Sequence, residues 1–377
     1  MRMYLSRRKI VTVLLLVLVV TMSLAVSSST LDEGAYDWRD GQKDLALEGR
    51  GFVSDDPSYV RLPDRFKSVV TPAVWELSRT AIGFNARFVT DSDEIVVRWQ
   101  VPENLTPGDA LTYNLSAGVD IYRRTAMGAW CHHTVGAPNH ATGRGELLVK
   151  WVPGEECLVY LPARAVVRNF TIGVRKGASF APPKPHRLAR PVVHYGTSIV
   201  NGACSSRPGL VLPALVSRKT DLDVIDLGFS GSGKMELRMA DLVAEIDASL
   251  YIIDCEWNLD EALVKANYEP FVRRLKELRP DTPVLLCGAC TENDFPRPTE
   301  ILSAAIFVRL KGEDGVKWAN WHYLSGVDML PKDSDCTLDH CHPNDYGFAR
   351  MSQVYAETVQ KILGLDAKKV TQSFKGL

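Results

Sequence analysis

The stretch Ala181-Pro-Pro-Lys-Pro-His-Arg-Leu-Ala-Arg-Pro191 divides the chain into two halves with different rhythms, and any fold has to accommodate both. Its prolines fix φ and remove backbone donors, so the segment forms a stiff, extended connector rather than a helix or an inner strand. Before it, from about Trp38 to Ala181, short alternating or apolar runs such as Phe84–Val89, Glu94–Val101 and Cys157–Leu161 are separated by Gly, Pro, Asn and Asp. That punctuation predicts a β-sandwich. After it, strand-like and helix-like segments alternate: Val192–Tyr195, a helical stretch near Leu210–Arg218, Asp223–Leu227, a helix over Met235–Glu245, then Ser249–Asp254. Tyr268–Leu278, with Phe271, Leu275 and Leu278 at helical spacing, precedes the apolar run Pro283–Cys287, and an amphipathic helix over Tyr346–Leu363 closes the series. Such alternation predicts a three-layer α/β/α domain, a parallel sheet with helices on both faces. The expected division is a β-sandwich over residues 26–185 and an α/β domain over 186–377.

The chain opens with Arg2, Arg7, Arg8 and Lys9, an apolar run from Ile10 to Val20, and Ser23-Leu24-Ala25. This is the layout of a secretory signal over residues 1–25. The competing reading is an uncleaved anchor, but the apolar core is shorter than the roughly 20 residues that a spanning helix needs. The sequence therefore predicts a secreted or extracytoplasmic protein, without stable membrane insertion after cleavage. The full chain carries a formal net charge of -1, and losing the segment's basic residues makes the remainder more acidic, which argues against nucleic acid as a partner. The cysteines form an even set of 8, so an oxidising compartment would allow pairing. Cys287-Gly-Ala-Cys290 has redox-motif spacing, but it follows an apolar strand and has no second pair, so it reads as a disulfide or two buried thiols rather than as a zinc site.

In a parallel α/β sheet, active groups gather at the carboxyl ends of the strands. Three polar clusters follow strands there: His194-Tyr-Gly-Thr-Ser198, Gly228-Phe-Ser-Gly-Ser-Gly233 and Asp254-Cys-Glu-Trp-Asn258. A fourth, Asp339-His-Cys-His342, lies just before the terminal helix. Serine needs an imidazole to take its proton, and the imidazole needs a carboxylate to fix its tautomer. Ser198, His342 and Asp339 supply that set, with His340 as the competing base. Ser198 N–H, Gly231 N–H and the Asn258 side-chain amide are candidate donors for an oxyanion. No cofactor is called for. Each piece alone is more often structural: a Gly-Thr-Ser turn is common, and a lone Asn after a strand is usually a cap. Their joint order carries the reading.

With these blocks in place the sequence resembles the SGNH (GDSL-like) hydrolase superfamily, whose pattern is a Ser after the first strand, a Gly, an Asn and a late Asp-x-x-His. Gly196-Thr-Ser198-Ile199, Gly231, Asn258 and Asp339 to His342 match in order, and Gly118-Val-Asp-Ile-Tyr122 is similar to the Gly-x-Asp-Leu-Tyr motif of a subfamily with an extra N-terminal domain. The resemblance implies a carboxylic ester hydrolase, and among such two-domain relatives a carbohydrate esterase acting on a small-molecule or polysaccharide ester. Two departures stand out: Trp257 where proline usually precedes the Asn, and His340-Cys341 where Gly-Thr is more usual. The first fits either a narrowed pocket for short acyl groups or simple packing of the indole; a disulfide between Cys336 and Cys341 would pin the second.

Rival readings remain. Long-chain ester or lipid hydrolysis is one, and a glycan-binding protein on an inactive hydrolase fold is another. Gly228-Phe-Ser-Gly-Ser-Gly233-Lys234 matches a phosphate-binding loop through its lysine but fails at Met235, where a hydroxyl is required for magnesium. No His-Glu-x-x-His helix of a zinc hydrolase is present.

Overall fold

A computed structural model describes residues 31–52 and 59–366. The expected signal, residues 1–25, lies outside the described residues. The strands of the first half are β1 (Tyr36–Asp40), β2 (Leu47–Glu48), β3 (Asn85–Val89), β4 (Glu94–Gln100), β5 (Val119–Arg124), β6 (Trp130–Gly136), β7 (Arg144–Lys150), β8 (Glu156–Tyr160) and β9 (Asn169–Arg175). They form a four-stranded sheet, β1-β9-β4-β7, and a five-stranded sheet, β2-β3-β8-β5-β6, antiparallel throughout. Alternate residues point inward: Ile95, Val97 and Trp99 of one sheet meet Phe88, Ile121 and Val159 of the other in a shared core.

The second half holds five parallel strands, β10 (Val192–Gly196), β11 (Val224–Gly228), β12 (Leu250–Asp254), β13 (Val284–Cys287) and β14 (Trp321–Leu324), in the order β11-β10-β12-β13-β14. Period-two alternation splits each strand between two helical layers. Val193 and Tyr195 pack with the helices Leu237–Ala244 and Glu269–Leu278, while Val192, Val224 and Leu250 pack with Leu212–Thr220 and Asp345–Ile362. This is the three-layer α/β/α domain that the alternation predicts. Because β10 is flanked by β11 and β12, the chain leaves the sheet in opposite directions on its two sides. The carboxyl end of β10 is therefore the crevice where such sheets bind ligands.

Two packing features escape the sequence pattern. Leu62, Phe66, Val74 and Trp75, which precede the connector by more than a hundred residues, are buried in the core of the α/β half rather than in the sandwich. Arg61 anchors the same segment, donating from Nη1 to the Gly228 carbonyl at 2.7 Å. A further helix, Pro298–Glu313, lies between β13 and β14. Among the described residues no helix is long and apolar enough to cross a membrane.

Candidate active site

The turn after β10 carries Ser198, half-buried, with Thr197 beneath it accepting the Ile199 N–H at 3.2 Å. The loop before the last helix carries Asp339 and His342. It is closed by a bridge between Thr337 and Pro343, by Leu338 N–H donating to the His342 carbonyl at 2.9 Å, and by Asn344, whose side chain caps the helix at Gly347 N–H. These fixings bring three side chains into one line. Ser198 Oγ lies 2.8 Å from His342 Nε2, and His342 Nδ1 lies 2.7 Å from Asp339 Oδ2.

An ionised carboxylate only accepts hydrogen bonds, so the Asp339 contact places the imidazole proton on Nδ1 and leaves the Nε2 lone pair facing the Ser198 hydroxyl. The other carboxylate oxygen, Asp339 Oδ1, accepts the backbone N–H of His342 at 2.7 Å and of Cys341 at 3.1 Å. Burial raises the Asp339 carboxyl, but the His342 N–H, the imidazole and the Cys341 N–H together outweigh it and hold its pKa below the usual value. Asp339, Cys341 and His342 also offer metal-ligand atoms within 4.8 Å of one another, yet both imidazole nitrogens are already engaged in the line to Ser198.

His340, the competing candidate, lies off the line from Ser198 to Asp339. It sits at φ 61°, its side chain is 87% exposed, and its Nδ1 faces Glu292 Oε2 at 3.3 Å. That left-handed conformation is one glycine adopts freely, which accounts for the glycine more usual at this position in the motif.

The donor side is assembled from the loops after β11 and β12. Gly231 has φ 66° and open space where a side chain would be. Phe229 O accepts both Ser232 N–H and Gly233 N–H, which curls the loop so that Gly231 stands at its exposed tip. Neither Ser198 N–H nor Gly231 N–H has a partner among the described residues. Asn258 reaches the same loop, its Nδ2 donating to the Gly233 carbonyl at 3.2 Å and, more weakly, to Phe229 O at 3.5 Å. The curled loop thus meets Asn258 and the strand end.

Other members of the clusters lie deeper. His194 and Asp254 are buried, with Nε2 and Oδ2 3.4 Å apart and the Tyr355 hydroxyl donating to the same carboxylate oxygen at 2.7 Å. Trp257 is fixed by its Nε1 donating to the Cys290 carbonyl at 3.0 Å and by the Arg297 guanidinium stacked 4.1 Å above its ring. The expected Cys336–Cys341 disulfide is not formed: all eight cysteines are unpaired. Cys336 instead turns its thiol to Glu292 Oε1 at 3.2 Å and the Pro331 carbonyl at 3.5 Å, contacts that occupy the sulfur a disulfide would use. One residue of the site gives no local signal in the sequence: Arg164, from the sandwich, donates to Ser230 Oγ at 3.0 Å, and Ser230 in turn donates to Asn201 Oδ1 at 3.1 Å.

Residues 189–360 match the model of the GDSL-like lipase/acylhydrolase family, and residues 36–180 match the N-terminal domain of SGNH-hydrolase-type esterases. A protein from Bacteroides ovatus described as a GDSL-like lipase superposes with a TM-score of 0.78 at 30% identity, over 88% of this chain and 99% of that one. The chain belongs to the GDSL-like lipase/acylhydrolase family. As a member of that family it is a carboxylic ester hydrolase. The same two-domain fold recurs at lower identity. The salicylyl-acyltransferase SsfX3 from a tetracycline biosynthetic pathway has a TM-score of 0.67 at 19% identity, over 88% of this chain and 97% of that one. A family two carbohydrate esterase from Cellvibrio japonicus has a TM-score of 0.58 at 12% identity, over 87% and 98%. Comparison with curated protein sequences returned no match.

Proposed function

We propose that this GDSL-family protein is a secreted serine esterase that removes short acyl groups, chiefly acetyl, from carbohydrate, with Ser198, His342 and Asp339 as its catalytic triad. The observation that carries the proposal is the unbroken line from Ser198 Oγ through His342 to Asp339, with contacts of 2.8 Å and 2.7 Å, at the carboxyl edge of β10. In this reading His342 Nε2 takes the Ser198 proton as Oγ attacks the ester carbonyl. The oxyanion is met by Ser198 N–H and Gly231 N–H, which have no partner among the described residues, and by the Asn258 amide N–H that leaves its long 3.5 Å contact with the Phe229 carbonyl while the other stays on Gly233 O. His342 then gives the proton to the leaving sugar hydroxyl, and a water activated by the same nitrogen hydrolyses the acyl-enzyme.

Acetyl preference draws on the bulky Trp257 standing beside Asn258 in the sequence, where the family pattern has proline, its indole held by the Cys290 carbonyl and the Arg297 guanidinium. Carbohydrate as the alcohol draws on the fold shared with the carbohydrate esterase, and secretion on the basic and apolar opening of the chain. The test is a nitrophenyl ester series from acetyl to long acyl chains, followed by acetylated glycans. Turnover that peaks at acetyl, vanishes in Ser198→Ala and extends to an acetylated glycan supports the proposal. A peak at long chains refutes the acetyl preference, and turnover surviving in Ser198→Ala refutes the triad.

A further inference from the structure

The motif Gly118-Val-Asp120-Ile-Tyr122 lies far from the triad in sequence. On β5 the side chains alternate: Val119 and Ile121 enter the sandwich core, while Asp120 and Tyr122 face the α/β half. Asp120 is fully buried. Its Oδ2 accepts Arg207 Nη1 at 2.9 Å and Gly209 N–H at 2.8 Å, and its Oδ1 lies 3.0 Å from His132 Nε2. The Tyr122 hydroxyl also meets Arg207 Nη1, and its ring carries the Arg218 guanidinium at 4.0 Å. Arg218 closes the circle by donating to the Gly209 carbonyl at 2.6 Å.

Gly209 fits this cradle only because it lacks a side chain. A Cβ there would stand 2.3 Å from Tyr122 Cε2 and 2.7 Å from Asp120 Oδ2. The segment so gripped, Ser206–Gly209, continues directly from the turns that hold Ser198: Ala203 N–H donates to the Ser198 carbonyl at 2.9 Å, and Ser205 N–H to the Gly202 carbonyl at 3.1 Å. It also touches the histidine loop. Thr112 Oγ1 of the sandwich donates to the Ser206 carbonyl at 2.6 Å, while Ser206 N–H donates to Asp345 Oδ1 at 2.8 Å. Asp345 is the first residue of the terminal helix, immediately downstream of the loop that ends in His342.

The geometry points to Asp120 as a positioning residue for the reaction: the sandwich delivers a buried carboxylate that fixes Ser206–Gly209, and through it the nucleophile turn relative to the histidine loop. This rests on the serine-esterase reading of Ser198 and His342. The sandwich is then part of the catalytic apparatus without touching substrate. A buried carboxylate bonded to a guanidinium is strongly oriented, and removing it leaves Arg207 without its charge partner inside the interface. Because a misplacement of about 1 Å at a reacting pair costs on the order of 10²-fold in rate, such a latch acts on kcat rather than on ground-state binding.

The test compares wild type, Ser198→Ala, Asp120→Ala, Asp120→Asn and Tyr122→Phe, as full chains, in hydrolysis of nitrophenyl acetate. Rates are normalised to the folded fraction by circular dichroism and measured well below each melting temperature. The expected result is a fall in kcat of about 10- to 100-fold for Asp120→Ala with KM within about 2-fold. Asp120→Asn, which keeps an acceptor for Gly209 N–H, recovers part of the loss. Tyr122→Phe removes one hydroxyl and keeps the falsifying comparison available if Asp120→Ala does not fold; it moves kcat in the same direction by less. Folded Asp120→Ala with the kcat of wild type, or folded Tyr122→Phe indistinguishable from wild type where the alanine protein cannot be obtained, overturns the inference while leaving the serine esterase intact. Wild-type turnover that is absent, or that survives in Ser198→Ala, overturns the esterase reading and the inference with it.

Discussion

Asp339 holds His342 twice: Oδ2 takes the imidazole Nδ1–H at 2.7 Å, and Oδ1 takes the same residue's backbone N–H, also at 2.7 Å. One carboxylate thereby sets both the tautomer and the position of the imidazole. In Asp339→Asn the amide can turn its NH2 toward Nδ1 and favour the wrong tautomer. The expected outcome is a loss of about 10²–10⁴-fold in kcat on nitrophenyl acetate, with KM little changed.

The depressed Asp339 carboxyl gives that contact a pH dependence. Its contribution is fully present above the ordinary carboxylate value and is lost as pH falls through the lower folded value. Wild type therefore keeps the loop intact through mild acid, and Asp339→Asn loses acid sensitivity in the resonances of residues 336–344 by NMR. Unchanged acid sensitivity in the variant would contradict this.

His340 at φ 61° faces Glu292 rather than Ser198. His340→Gly is expected to retain turnover and to raise stability by about 1 kcal/mol, as the left-handed strain is released. Urea unfolding and the same ester assay check both. Activity lost in His340→Gly would reassign the base.

Glu256 directly precedes Trp257 and Asn258 and is 1% exposed, with no basic side chain paired to it among the described residues. Burial pushes its carboxyl up to about 7, outweighing the Ser303 and Thr299 hydroxyls that lower it, and Glu300 nearby adds to the rise. Between the ordinary glutamate value and about 7 the folded chain holds a proton that the unfolded chain has released, so stability declines as pH rises across that window. Glu256→Gln removes the burden, with an expected gain on the order of 1–3 kcal/mol near pH 8 and little difference near pH 4. Parallel pH–stability curves for the two proteins would contradict the assignment.

The strands β10 to β13 were legible because each carries a short apolar run, and Ser198, Gly231, Asn258, Asp339 and His342 each follow or precede a predicted element; β14, Trp-His-Tyr-Leu, has no such run and was not legible. The helix Pro298–Glu313 was not legible, since its apolar residues lie on both faces: Leu310 is buried while Ile301 and Val308 are exposed, which erases the amphipathic period. Nor does periodicity show that Leu62, Phe66 and Trp75 cross into the second core, because burial partners far apart in sequence leave no local mark. Arg164 on Ser230 and Asp120 on Gly209 were hidden for the same reason. The choice between His340 and His342 needed backbone conformation, and the Cys336–Cys341 pairing failed because Cys336 turns inward to Glu292.

If Ser198 carries the acyl group between two half-reactions, mass spectrometry of protein quenched during nitrophenyl acetate turnover detects it there. The expected result is an acetyl adduct on the peptide containing Ser198, absent from Ser198→Ala, which also lacks turnover. Turnover in Ser198→Ala, or an adduct confined to another residue, would contradict it.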